Sequence, residues 1–129
     1  MREIKFRAWN YTRNEMSYDI ESIDFDKGRV EQINTLQDRI LFPTKEAVLM
    51  QYTGLKDKNG VEIYEGDIVE HPDYYRAGPV IFDEWYARFA VEADEDDESL
   101  ALNKHTFGQE VEVIGNIYKN PELLENTND

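Results

Sequence analysis

Apolar and polar residues alternate in short runs along most of the chain, the two-residue period of half-buried β-strands. Ile4, Phe6 and Ala8 alternate with Lys5, Arg7 and Trp9, a polar stretch runs from Asn10 to Glu15, and Met16, Tyr18 and Ile20 resume the alternation. The pattern predicts an opening hairpin with one apolar and one amphipathic face. Ile23, Phe25 and Val30 around Asp26-Lys27-Gly28 predict a second hairpin, with Gly28 in the left-handed position of its turn. From Asn34 to Ala47 the alternation fails. Pro43 argues there against a central strand or a long helix, so the stretch is read as a connection with at most a short helical turn.

The extended pattern returns at Val48 to Thr53 and is interrupted by Gly54. Asn59-Gly60 then supplies the residues that favour a type I′ hairpin turn, leading into Val61, Ile63 and Tyr64. Gly66-Asp67 stands before an Ile68-Val69 strand. A glycine there permits a sharp turn, and an aspartate accepts backbone hydrogen bonds within it, an arrangement reminiscent of small SH3-like barrels. Pro79 to Phe82, then Tyr86, Phe89 and Val91, add strands broken near Asp83-Glu84. Val111, Val113 and Ile114 to Tyr118 read as a closing strand. Asn120, a plausible N-cap, and Pro121 at the first position introduce a single C-terminal helical turn. The expectation is a mainly β protein: N-terminal hairpins over residues 1–47 packed with a small SH3-like barrel over residues 48–129, the two parts forming separate subdomains or one continuous domain.

Three blocks of this sequence, REIKFRAWN at Arg2 to Asn10, LMQYTGLKDKNGVEIYEGDIV at Leu49 to Val69 and EVIGNIYKNPELLE at Glu112 to Glu125, resemble the YopX family of phage and prophage proteins. The resemblance implies a small β-rich protein encoded by a bacteriophage or an integrated prophage. It implies no particular activity. Tyr11 to Val48 and Glu70 to Val111 lie between the blocks, where a function peculiar to this chain has room to sit.

Charge changes the picture most. The chain carries 28 acidic and 14 basic side chains, a formal net of −14. Residues 1–48 hold 8 Lys or Arg against 9 Asp or Glu, and residues 49–129 hold 6 against 19, so the excess acid lies in the C-terminal part. A protein that binds nucleic acid by releasing counterions from phosphates needs a basic face, and generic duplex DNA binding is therefore not expected. There is no cysteine, which excludes disulfides and thiolate metal sites and agrees with a reducing compartment. No run of apolar residues approaches the roughly 18 needed for a membrane helix, and no leader-like apolar stretch opens the chain. A soluble protein of the bacterial cytoplasm is the expectation.

Candidate chemistry is sparse. The acidic run within Glu92 to Ser99 is rich in oxygen ligands, but as a calcium loop counted from Asp94 its sixth position is Ser99 and its twelfth His105, where glycine and glutamate are required. It is read as a solvated loop, with no change in melting temperature expected on adding calcium. Asp57-Lys58-Asn59-Gly60 likewise fits a turn better than a cation loop. His71, before Pro72, and His105, among polar neighbours, are read as surface residues. No phosphate loop, nucleophile elbow or zinc-protease helix is present. No catalytic, cofactor-binding or metal-binding residue is assigned.

The aromatics remain. Tyr74-Tyr75 with Arg76, and Trp85-Tyr86 with Arg88, fit either cross-strand packing or a stacking and cation–π surface for a partner. Tyr74, Tyr75, Arg76, Trp85 and Tyr86 are the candidate partner-binding residues. The reading is a non-enzymatic binding or accessory factor with a protein partner, in which a homo-oligomer is compatible with the sequence. Two rivals stand beside it: an acidic imitator of nucleic acid that occupies the basic cleft of a DNA-processing enzyme, and a small enzyme of unrecognised chemistry.

Overall fold

The computed structural model describes residues 3–36, 40–43, 45–73, 75–92, 100–101 and 110–125. It is mainly β, with antiparallel sheets and a curled half-barrel. The chain divides into two compact units, Ile4–Gln51 and a second comprising Tyr52–Asp129 with the first three residues.

In the first unit β1 (Phe6–Asn10) pairs antiparallel with β2 (Glu15–Ser17) on one side and with the beginning of β6 (Ala47–Lys56) on the other. The Asn10 carboxamide shapes the first turn by accepting from the Thr12 and Arg13 amides at 2.9 and 3.1 Å. The expected alternation in β1 is only half right. Arg7 is buried along with Ala8 and Trp9, its guanidinium reaching the Tyr18 hydroxyl at 3.3 Å. β3 (Ile20–Asp26) and β4 (Arg29–Thr35) form the second hairpin, closed by Lys27 and Gly28 at φ +53° and +80°. Two positive φ angles in a two-residue loop are the type I′ arrangement. The stretch read as a connection with at most a short helical turn contains β5 (Ile40–Leu41), which adds to β4 through Ile33↔Leu41. A two-residue pairing is too short to show in an alternation pattern. Ala8, Ile33, Leu41 and Ala47 form the core, with Ile20, Val30 and Leu49 against it.

Strand β6 runs through Gly54 without ending. Gly54 takes φ +89°, and the pairing with β7 (Glu62–Tyr64) slips in register between Tyr52 and Lys56, so the glycine marks a bulge. The Thr53 hydroxyl steadies it, donating to the Ile63 carbonyl at 2.7 Å and accepting from the Leu55 amide at 3.2 Å. The loop between β6 and β7 also differs from expectation. Asn59 keeps a negative φ while Gly60 takes +84°, the Gly60 amide donates to the Asp57 carbonyl at 3.0 Å, and the Asp57 amide donates to the Val61 carbonyl at 2.8 Å. This is a three-residue loop, a tight turn followed by a left-handed glycine, and not the two-residue type I′ turn.

Asp57 explains the difference. Its buried carboxylate accepts from the Asn59 and Val61 amides at 2.8 and 2.9 Å through Oδ1, and from the Val113 amide at 2.9 Å through Oδ2. The side chain thus holds the loop from inside and ties it to β12 (Glu112–Asn116). All three donors are backbone amides, so the carboxylate is a folding staple and not a cation ligand.

β8 (Asp67–His71), β9 (Tyr75–Asp83), β10 (Arg88–Val91) and β11 (Leu100–Ala101) form a meander, and β12 returns to the free side of β8. Gly66, at φ +87°, makes the sharp turn ahead of β8, and Asp67 Oδ2 accepts from the Tyr64 amide at 2.8 Å, as the Gly-Asp pair predicts. Ile63, Val69, Val80, Val91 and Val111 fill the core, with Leu55 and Val113 packed on it. The C-terminal turn over Pro121–Leu124 is a 3-10 turn. Asn120 does not cap it; its side chain faces back and accepts from the Asn116 amide at 3.2 Å. The acidic residues 94–98, His105 and the tail from residue 126 lie outside the described residues.

Candidate functional site

His71 is not the surface residue its Pro neighbour suggested: it ends β8 with a side chain only 1% exposed. Its Nδ1 accepts the Asp73 amide at 3.1 Å, so the ring proton of the neutral form sits on Nε2, 3.3 Å from a Glu110 carboxylate oxygen. Asp73 and Glu110 bring their carboxylates close enough that the three residues form a potential ligand set. The hydrogen bonds oppose that use. A metal on Nε2 would require the proton on Nδ1, where the Asp73 amide already points a donor. The group is better described as a link between the end of β8 and the residue ahead of Val111, with the imidazole buried and both carboxylates exposed.

A different arrangement appears at the turn between β9 and β10. Val80 pairs with Val91, and two residues further out Phe82 pairs with Phe89, so all four side chains share one face of the hairpin. Val80 and Val91 are in the core; Phe82 is exposed, and its ring meets Phe89 edge-on with centroids 5.4 Å apart. The apolar face therefore continues beyond the core into solvent. At its end the Asp83 carboxylate accepts from the Trp85 and Tyr86 amides at 3.0 and 3.4 Å, and Ala87 takes φ +53° to complete the turn. Trp85 is 87% exposed. Tyr86 is also exposed, with the Arg88 guanidinium 4.3 Å from its ring centroid.

Of the residues singled out from sequence, Trp85 and Tyr86 thus meet in one exposed turn, on the turn itself and not in the strand expected for Tyr86. Cross-strand packing does not account for Trp85. Arg76 is exposed on β9 and Tyr75 begins that strand, whereas Tyr74 lies outside the described residues. Phe82 and Phe89 were not among the candidates. The signal was present in Val80-Ile81-Phe82 and Phe89-Ala90-Val91, whose matching alternation places both aromatics on the side of both valines once the hairpin register is known.

Among the described residues, no helix is long and apolar enough to cross a membrane. No curated protein matches the chain. A solved structure, the crystal structure of protein EF1440 from Enterococcus faecalis, is similar at 31% identity with a TM-score of 0.69, over 97% of this chain and 100% of that one. The model of the YopX protein family matches residues 5–125, which takes in both units and the β9–β10 turn. The chain belongs to the YopX family.

Proposed function

We propose that this protein is a non-enzymatic binding or accessory factor of phage or prophage origin, working in the bacterial cytoplasm by docking a protein partner on its β9–β10 turn. The observation that carries the reading is the exposed aromatic end of that hairpin. An indole almost wholly in water costs solubility and contributes nothing to the core, so its value lies in what it meets. The Asp83 hydrogen bonds hold the turn in shape before any partner arrives, which lowers the entropic cost of binding. An SH3-like closure of the C-terminal unit is part of the proposal. It is supported by the strand order β11-β10-β9-β8-β12, in which the last strand joins the first strand of a meander. The similarity to an Enterococcus protein supports a bacterial setting.

The test is affinity capture from lysogenic host cells with the parent chain and with a Trp85→Ala, Tyr86→Ala double variant. A partner retained by the parent and lost by the variant is expected; equal retention by both would refute the docking site. If DNA competes for the captured partner, the acidic imitator of nucleic acid becomes the better reading. A gel shift with random-sequence duplex DNA at physiological salt is expected to show no complex with the chain itself.

A further inference from the structure

We infer that the β9–β10 turn receives a cationic segment of its partner, with an Arg or Lys side chain laid on the face of Trp85. The inference rests on the docking reading above and names the chemistry of the occupant. Three features converge on a cation. Trp85 presents the aromatic face with the strongest attraction for one, and it is 87% exposed. The neighbouring turn residue Glu84 is exposed, so the turn carries a solvent-accessible carboxylate as well as the indole. The turn already displays this recognition within the chain, where the Arg88 guanidinium lies over the Tyr86 ring at 4.3 Å. The net charge of −14 would draw a basic segment toward the molecule and repel an acidic one. A purely apolar partner covering the turn would have to desolvate the Glu84 carboxylate, and a nucleic acid would bring phosphates toward it.

The test is an NMR titration of the 15N-labelled full chain with a blocked Arg-Gly repeat peptide and with the same peptide carrying citrulline in place of arginine. Citrulline keeps the shape and removes the charge. The arginine peptide is expected to shift the Trp85 indole N–H and the amides of residues 84–88, and the citrulline peptide to shift neither. Trp85→Ala should weaken arginine-peptide binding by about two- to fivefold, the loss of one exposed cation–π contact. Glu84→Gln should weaken it less and reduce its salt dependence. Unperturbed Phe89 and Val91 amides in the free variants report that the hairpin is intact. Equal binding of the two peptides, affinity unchanged in Trp85→Ala, or no shift at the turn up to millimolar peptide would each overturn the inference. If a host partner is still lost on the double variant while the arginine peptide fails, the docking surface stands and only its cationic occupant is wrong.

Discussion

Two residues, Asp57 and Gly115, show how single positions hold the C-terminal unit together. Asp57 satisfies three part-buried backbone amides, two in the β6–β7 loop and one on β12. Its replacement by alanine should cost about 3 kcal/mol, since hydrogen bonds to a charged acceptor are stronger than neutral ones and the abandoned donors are not all reachable by water. Asp57→Asn should cost nearly as much, because one set of amides would then face an NH2 group. Chemical denaturation of both variants checks this; an Asp57→Asn protein as stable as the parent would show that only one carboxylate oxygen matters. Gly115 poses the opposite problem, one of space. A methyl group built on it would lie 2.6 Å from Asn120 Oδ1 and 2.9 Å from Leu123 Cδ1. Gly115→Ala should therefore lower stability by roughly 1–3 kcal/mol, as overpacking does. A melting temperature equal to the parent's would mean that the C-terminal turn moves aside freely.

The hairpin loops separate by which residues carry positive φ. In the β3–β4 loop both Lys27 and Gly28 are left-handed, and lysine is a poor occupant of that region. Lys27→Asn should stabilise the chain by about 0.5–1 kcal/mol, since asparagine is the favoured first residue of a type I′ turn. Thermal unfolding that shows no gain would argue that Lys27 has contacts beyond its backbone. In the β6–β7 loop only Gly60 is left-handed. Gly60→Ala is expected to cost about 1 kcal/mol and Asn59→Ala less than half of that, whereas a two-residue type I′ turn would penalise both. The β9–β10 turn belongs to a third kind: Ala87 accepts the left-handed conformation while Asp83 supplies the amide partners. The strain is stored where the exposed aromatics are presented.

Across the molecule the dominant quantity is charge. With a net of −14, the folded chain repels itself, and screening relieves the repulsion within a Debye length of about 8 Å at physiological ionic strength. The melting temperature should therefore rise when sodium chloride is increased from about 10 to 150 mM, where the Debye length falls from about 30 to 8 Å. A fall would point to attractive ion pairs outweighing the repulsion. Lys58 and Glu112, 3.3 Å apart and both partly exposed, form such a pair, but one screened surface contact contributes little against a surplus of that size.

Alternation, turn residues and charge were legible along the chain because each is a local property. They sufficed for the mainly β class, for the hairpins at Lys27-Gly28 and near Asn59-Gly60, and for the role of Gly66-Asp67, where the aspartate needs only an amide three residues away. Contacts between distant residues decided the rest. The β6–β7 loop is three residues long because Asp57 also holds the Val113 amide, which lies 56 positions along the chain. Likewise buried His71 meets Glu110 only after the whole meander has intervened. Arg7 sits in the interior of β1 because Tyr18 offers its hydroxyl from beyond the next strand. The candidate site follows the same division. Sequence supplied Trp85 and Tyr86 as aromatics beside arginines, while only the pairing of Phe82 with Phe89 showed that an apolar face runs out toward the same turn. Register is a relation between strands, and no single strand's pattern contains it.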